Sequence, residues 1–558
     1  MAKAKAIAKK KTTKKKVAKK PAKPKGPTEL ELCLHAPGMN AILRAGLGGL
    51  ASVLEKLSLR PRGVELPGAP WKNKQPPWEI TADRIVLQFG EAENAREYLK
   101  RLFQFAFQIK ESESLIDLPS TQSEGQSQVV RARLQQGIML TFLQHGQSRK
   151  GAKKDETKEF QIDNKPVSMT FRPLTSYKHQ TGYVELTHEK NGTLHTKALD
   201  IPGTLCPGAA VRHNKFGATK HEGTAVELLA AYFALVGTLP LPVNRGSAVL
   251  IVPEVTDLVS FGENRSLITP TSYSECLIGG VGDAVLGVYA RLRHSKIKTA
   301  LDVPAISAYL FRPTVWASQQ KSRVAAVHVK PLESFEQRVF DFAASFFRSQ
   351  PKPMKVKVGK GKNAKERETF FYSHSIVKPL IAENLSAGKS WYHNFSSLFT
   401  RNDPASGKPL HPRLFFEKEG LSKMVNSEVW DDDGKKALVA GVHFALKCQF
   451  GKISGEFGSN RGGMQNKFKK EFEKWRLLFV AAKTADQFRF AICDLMSRSR
   501  GNTEIQDKWQ QVLPLLSDNQ WQQGRDLALL ALASYKGKGD KEAADSENAQ
   551  SEVVEEVV

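Results

Sequence analysis

At 558 residues with 41% apolar residues, the chain has room for roughly two to four domains with full cores and is not wholly disordered. Its 83 Lys and Arg outnumber 57 Asp and Glu, a net charge of +26. Five scattered Cys without CxxC spacing argue against a disulfide framework and against zinc. The most apolar stretch, Leu228–Val243, is too short and too broken by Gly237, Pro240 and Pro242 to cross a bilayer.

In chain order, Met1–Lys25 comes first, with twelve Lys, no acid and no apolar run after it. Residues 1–28 are expected to be a disordered polybasic arm rather than a signal peptide. Glu29–Leu34 alternates like a strand, and a helix is expected from Pro37 to Lys56, with Ile42, Leu43, Leu47, Leu50 and Leu54 along one side. Trp78–Phe89 reads as a strand and Glu91–Ile109 as a helix. Val129–His145 is expected to be helical, between polar loops. Val211–Gly223 is a polar connection into a helix, Thr224–Val236. Ala248–Val252 has the pattern of a buried strand, and Ile306–Phe311 and Val324–Val329 look like two more, joined by the polar segment Arg312–Arg323.

After Pro331 strand signals nearly vanish. Helices are expected at Ser334–Arg348, Ser375–Ser386 and Ser390–Phe399, with Pro351–Glu368 as a basic insertion. Beyond Asp431–Gly434 come helical patterns at Lys435–Phe450, Met464–Ala482, Ala485–Ser499, Thr503–Leu516 and Asn519–Tyr535. The expected architecture is an α+β N-terminal region (29–333), a helical region (334–430), an all-α C-terminal bundle (431–536) and a disordered acidic tail (537–558). Asp540–Val558 holds seven acids and one Lys, so setting aside the arm's +12 and the tail's −6 leaves +20 on the body. A basic body points to a polyanionic partner, with solubility through excess Lys as the competing reading.

Catalytic signatures do not emerge. There is no GxxxxGK[ST], and Gly359–Lys362 lacks the second half of a phosphate loop. An EF-hand register from Asp431 would put Val442 where a Glu is needed, so Asp431–Asp433 read as helix caps. Cys206, His213, His221 and Glu222 fit no zinc spacing, and neither a deaminase nor a GxSxG signature occurs. The chain is therefore expected to be a non-enzyme without metal or cofactor, cytoplasmic, with no membrane partner.

Three segments combine basic, amide and aromatic side chains in the way nucleic-acid contacts require. Gln and Arg address base edges, Lys meets phosphate and aromatics stack. The first holds Arg172, Tyr177, Lys178, His179 and Gln180; the second Arg212, His213 and Lys215; the third Gln319, Gln320, Lys321 and Arg323, with Trp316 expected to anchor inward. The competing reading for each is a solvated loop whose aromatic packs inward. Lys355, Lys357, Lys360 and Lys362 in the insertion, and Lys469 and Lys470 on the outer side of a bundle helix, extend the candidate surface.

Several segments together resemble the large subunit of a type I CRISPR effector complex (Cascade) of the MYXAN-subtype lineage. They are Ala36–Met39, Arg44-Ala-Gly-Leu-Gly-Gly-Leu50, Thr141–His145, Pro207–His213, Leu241–Arg245 before Val249–Glu254, and Trp521 through Leu527–Tyr535. The resemblance spans Glu29–Tyr535 and rests on the order and spacing of these segments. It implies a non-catalytic subunit in antiviral defence that recognises a protospacer-adjacent motif, starts opening the duplex and holds the displaced strand while guide RNA pairs with the other. The implied partners are double- and single-stranded DNA, crRNA, Cas backbone subunits and a recruited helicase-nuclease. The alternative is a stand-alone, chromatin-like DNA- or RNA-binding protein, to which the Lys-rich arm points.

Overall fold

The computed structural model describes residues 26–59, 76–122, 126–202, 205, 220–243, 246–295, 301–316, 319–358, 365–403, 407–457, 461–499 and 503–537. The polybasic arm and the acidic tail lie outside these residues, as does most of the connection Val211–Gly223.

The first strand, Glu29–Cys33, pairs antiparallel with Arg84–Gln88, which also pairs with Trp78–Ile80. The helix Ala41–Ser58 packs along the helix Ala225–Gly237, which packs against Glu29–Cys33. Asn40 caps the first by accepting the Leu43 N–H at 3.0 Å. Thr224 and Glu227 form a reciprocal capping box on the second. The two helices approach until backbone meets backbone: a Cβ at Gly237 would fall 1.6 Å from the Ala45 carbonyl oxygen, and one at Gly46 2.0 Å from that of Ala230. That contact is a physical reason for the Gly-rich run Arg44–Leu50. The carbonyls at the end of the second helix are met by buried Arg265, whose guanidinium donates to Val236 O, Thr238 O and Thr269 Oγ1 at 2.7, 2.6 and 3.0 Å. With no carboxylate among these partners, burial lowers its pKa to about 9.

Four antiparallel strands follow in the order Leu239–Val243, Ser247–Pro253, Ile306–Trp316, Gln319–Val329. Pro240 and Pro242 sit on the first, an edge, where missing N–H groups cost no ladder bonds. The connection Arg312–Arg323 is not a loop. The flanking strands run on through it, to Trp316 and from Gln319.

The insertion Pro351–Glu368 is also strand. Gln350–Val358 and Lys365–Ser373 form a hairpin that joins Lys165–Phe171 and Glu156–Ile162 in a mixed sheet, Phe370 lying beside Val167 in the parallel step. Thr369 Oγ1 donates to Pro166 O at 3.1 Å, so this pairing spans some two hundred residues of chain. Local patterning after Pro331 carries no trace of it. Behind the sheet, Phe160, Val167, Phe171 and Tyr372 form a small core of their own with Val130 and Cys276.

Ser390–Phe399 departs from the expected helix: only Ser397–Thr400 is helical. Its polar backbone groups are taken by side chains instead. Asn384 Nδ2 donates to the carbonyls of Trp391 and His393, and the buried carboxylate of Asp526 accepts the N–H groups of Asn394 and Ser396. Asn394 consequently sits at φ +57°.

The C-terminal region is helical: Asp433–Phe457, Arg461–Ala481, Ala485–Ser497, Thr503–Val512 and Trp521–Ser534. Asp432 Oδ1 accepts the Lys435 N–H at 3.0 Å, the capping role read for this acidic run. Trp475 and Phe479 are fully buried, and the apolar face Phe468–Phe479 turns inward as its spacing requires. One contiguous core runs from Leu32 to Ala533. Where the front and rear halves meet, the Gly282 N–H donates to Glu383 at 3.0 Å, and buried Asp283 pairs with Lys378 at 2.8 Å. Among the described residues no helix is long and apolar enough to cross a membrane, and no group of three or more His, Cys, Asp or Glu could hold a metal ion.

Candidate nucleic-acid interface

The third candidate segment lies on a ribbon. Ser247–Pro253 pairs with the hairpin only as far as Phe311. Beyond it, Arg312–Trp316 and Gln319–Arg323 pair only with each other among the described strands. Five residues per strand reach about 17 Å past the sheet. The register sets Arg312 opposite Arg323, Thr314 opposite Lys321 and Trp316 opposite Gln319. Strand alternation puts these six positions on one face of the ribbon and Pro313, Val315, Gln320 and Ser322 on the other. Gln319, Lys321 and Arg323 thus share a face, and Gln320 is parted from them. Arg312 joins them, a position that composition does not single out because only the register opposes it to Arg323. The span Arg312–Val324 holds three basic residues and no acid.

A second ribbon carries the basic insertion. Lys352, Lys355 and Lys357 lie on the edge strand Gln350–Val358, with Glu368 opposite Lys355 and Glu366 opposite Lys357. Lys355 is exposed. Lys360 and Lys362 fall outside the described residues. In the bundle, Lys467, Lys469 and Lys470 are exposed on the outer side of Arg461–Ala481, away from Trp475.

In the first candidate segment the two rings are turned into the core instead of outward. Tyr177 and His179 are 3% and 1% exposed, and the His179 ring packs with those of Tyr177, Phe107, Phe142 and Tyr232. Neither ring nitrogen of His179 has a hydrogen-bond partner among the described residues, and burial drives its pKa down to about 3, so it is a neutral core residue. Burial also raises the Tyr177 phenol far above its usual range. Gln180 is spent on the backbone, its Oε1 accepting the Tyr177 N–H at 3.1 Å. Arg172 forms a two-pronged pair with Asp155 at 2.6 and 2.9 Å, which holds that carboxyl below its ordinary pKa, and Lys178 pairs with Glu185 at 3.3 Å. The aromatic-plus-basic pattern here is a core anchor with neutralised charges. The second segment, with Arg212, His213 and Lys215, lies outside the described residues.

Comparison with known proteins decides the family. Residues 31–232 match the DevT N-terminal domain and residues 426–557 the DevT C-terminal domain. The CRISPR-associated protein Cas8a1/Csx13 of Myxococcus xanthus (strain DK1622) is 34% identical over 544 residues, covering 94% of this chain and 91% of that protein. The chain belongs to the Cas8a1/Csx13 family. It is a large Cascade subunit of a Myxan-type, type I CRISPR system. Within this Cas8 chain the N-terminal match contains the close-packed helix Ala41–Ser58 and most of its partner, Ala225–Gly237. The C-terminal match contains the bundle. Both ribbons lie between the two matched segments.

Proposed function

We propose that this large subunit recognises the protospacer-adjacent motif and starts duplex opening with the ribbon Arg312–Arg323, then steadies the displaced strand on the second ribbon and on the lysine face at Lys469 and Lys470. What supports the reading is a two-stranded ribbon that pairs with no third strand among the described residues and whose register sets cationic and amide positions on one face. A two-stranded β-ribbon is one of the few elements narrow enough for the major groove, where Arg and Gln recognise base edges. Residues 29–333 form the DNA-recognition part in this reading, 334–430 brace it, and 431–536 form the bundle.

The work required is small. Exchanging a DNA duplex for an RNA–DNA hybrid is nearly balanced, so motif contacts and capture of the displaced strand tip it. The subunit acts by binding, without catalysing a reaction, in the cytoplasm. It does so beside crRNA and the Cas backbone subunits, and a helicase-nuclease recruited later cuts the target. The isolated chain binds DNA weakly and with little sequence preference, because its charge is diffuse and specificity arises in the assembled complex.

The test changes Gln319, Gln320 and Lys321 to Ala in the assembled complex. The thermal midpoint should stay within a degree or two, since polar substitutions away from a core typically cost under about 0.5 kcal/mol. Binding of motif-bearing duplex should weaken by roughly 1–3 kcal/mol for each base edge no longer recognised, and binding of a pre-opened bubble much less. Equal losses on both targets would assign the ribbon to general phosphate contact, and no loss on either would remove it from the interface.

A further inference from the structure

Three phenylalanines stand open beside the edge strand of the second ribbon. Phe415 and Phe416, in the first turn of the helix Leu414–Val425, are 51% and 67% exposed. Their rings lie edge to face, 5.8 Å apart at 84°. Lys352 holds its ammonium 4.0 Å from the centre of the Phe416 ring. Opposite Lys352 in the hairpin register is Phe371, 40% exposed. The lysine is therefore flanked by aromatic rings contributed by two separate elements, and the strand that carries it continues to exposed Lys355.

Lysines and prolines on an edge strand are ordinary guards against strand-to-strand aggregation, and Pro351 and Pro353 fit that role. Three open phenylalanines defeat such a guard, so aggregation control does not account for the cluster. A purely apolar protein partner would have to bury the Lys352 ammonium that lies against the Phe416 ring, at a desolvation cost. Unpaired bases present flat π faces joined by phosphates, and they match alternating aromatic and cationic groups directly.

We infer that Phe371, Phe415 and Phe416, with Lys352 among them, form a stacking site for unpaired bases of single-stranded nucleic acid. The inference rests on the nucleic-acid reading above and deepens it by naming where bases, rather than phosphates, are held. One face of the Phe416 ring is capped by Lys352, and a base stacks on the ring's exposed side. The Phe415 edge borders that base, and Lys355 lies where the following phosphates run.

The test uses the full-length chain with fluorescent oligothymidine of roughly 12 nucleotides, a length within the range such sites cover, and an abasic oligomer of equal length. The abasic strand keeps every phosphate and removes every base. The intact protein should prefer the thymidine strand by about tenfold or more. The double variant F415A/F416A should lose that preference while duplex binding stays within about twofold. F415L/F416L should lose it too, because Leu keeps apolar area and offers no flat π face.

Equal binding of both strands by the intact protein overturns the site, as does a preference that survives the Ala variant. A Leu variant that retains the preference would reduce the site to general apolar contact and overturn stacking. Variants that bind oligothymidine normally but no longer join the other subunits would reassign the patch to a protein interface. If the intact chain bound no nucleic acid even at low salt, alone or in the assembled complex, the nucleic-acid reading itself would fall. Loss of base preference alone would leave the first ribbon's proposed role standing.

Discussion

Arg172–Gln180 and Arg312–Arg323 are built from the same residue types and meet opposite ends. Each brings Arg, Lys and Gln together with an aromatic side chain. In the first, Tyr177 and His179 are buried, the His179 ring among Phe107, Phe142 and Tyr232, and the basic groups pair with Asp155 and Glu185. In the second, a hairpin outruns its sheet by five residues a strand, with no acid in the extension. Composition alone therefore does not separate an anchor from an interface. The difference lies in what other parts of the chain bring: aromatic rings and two acids at one place, and an end to strand pairing at the other.

The largest effect that would break this contrast is on stability. His179→Ala empties a space among aromatic rings and should cost about 2–4 kcal/mol, read as a fall in thermal midpoint. The DNA affinity of the folded fraction should stay unchanged. A fall in affinity without a fall in midpoint would return this segment to the interface.

Acid should act on the same side of the comparison. His179, His374 and His443 have folded pKa values lowered to about 3, 4 and 4 by burial. The unfolded chain therefore binds more protons than the folded one below about pH 6.5. Stability is full above that pH and declines as pH falls towards 4, by up to about 1.4 kcal/mol per pH unit for each histidine. Urea unfolding at several pH values between 7 and about 5 reads this slope. A flat profile would mean that these histidines are not neutral in the folded protein.

Arg172→Ala should matter less. Its pair with Asp155 is partly exposed and is expected to contribute no more than about 1 kcal/mol to stability. Because that charge is already neutralised, DNA affinity should change by less than about twofold; a larger loss would show Arg172 meeting phosphate directly. Smallest is the change from Lys469→Ala with Lys470→Ala. The slope of log affinity against log salt should flatten by about 0.9 for each duplex phosphate no longer neutralised, with motif preference intact. An unaltered slope would leave this helix face simply solvated.

How much was legible follows the same divide. Helices with a continuous apolar stripe, such as Ala41–Ser58 and Trp521–Ser534, were readable from periodicity alone, whereas the Thr224–Glu227 capping box was not singled out in the sequence. Thr484 likewise accepts the Gln487 N–H, although the Gln487 side chain turns to the Lys483 N–H instead of closing the box. The hairpin Gln350–Ser373 was not readable, because its partner strand lies some two hundred residues earlier. Burial of His179 was invisible for a similar reason, since its neighbours come from three distant helices and turns. The place of Arg312 opposite Arg323 needed the register itself. Phe415 and Phe416 carried a local signal, two adjacent aromatics at the opening of a helix, and sequence reasoning passed over it.

The central claim is that one face of the ribbon Arg312–Arg323 meets DNA. Its most direct measurement compares two triple variants in the assembled complex on motif-bearing duplex. One changes Gln319, Lys321 and Arg323 to Ala; the other changes Val315, Gln320 and Ser322 to Ala, at positions the register assigns to the opposite face. The account predicts that the first weakens binding by roughly tenfold or more for each base edge no longer recognised, and that the second stays within about threefold of the parent. Equal losses from both faces, or a larger loss from the second, would contradict it.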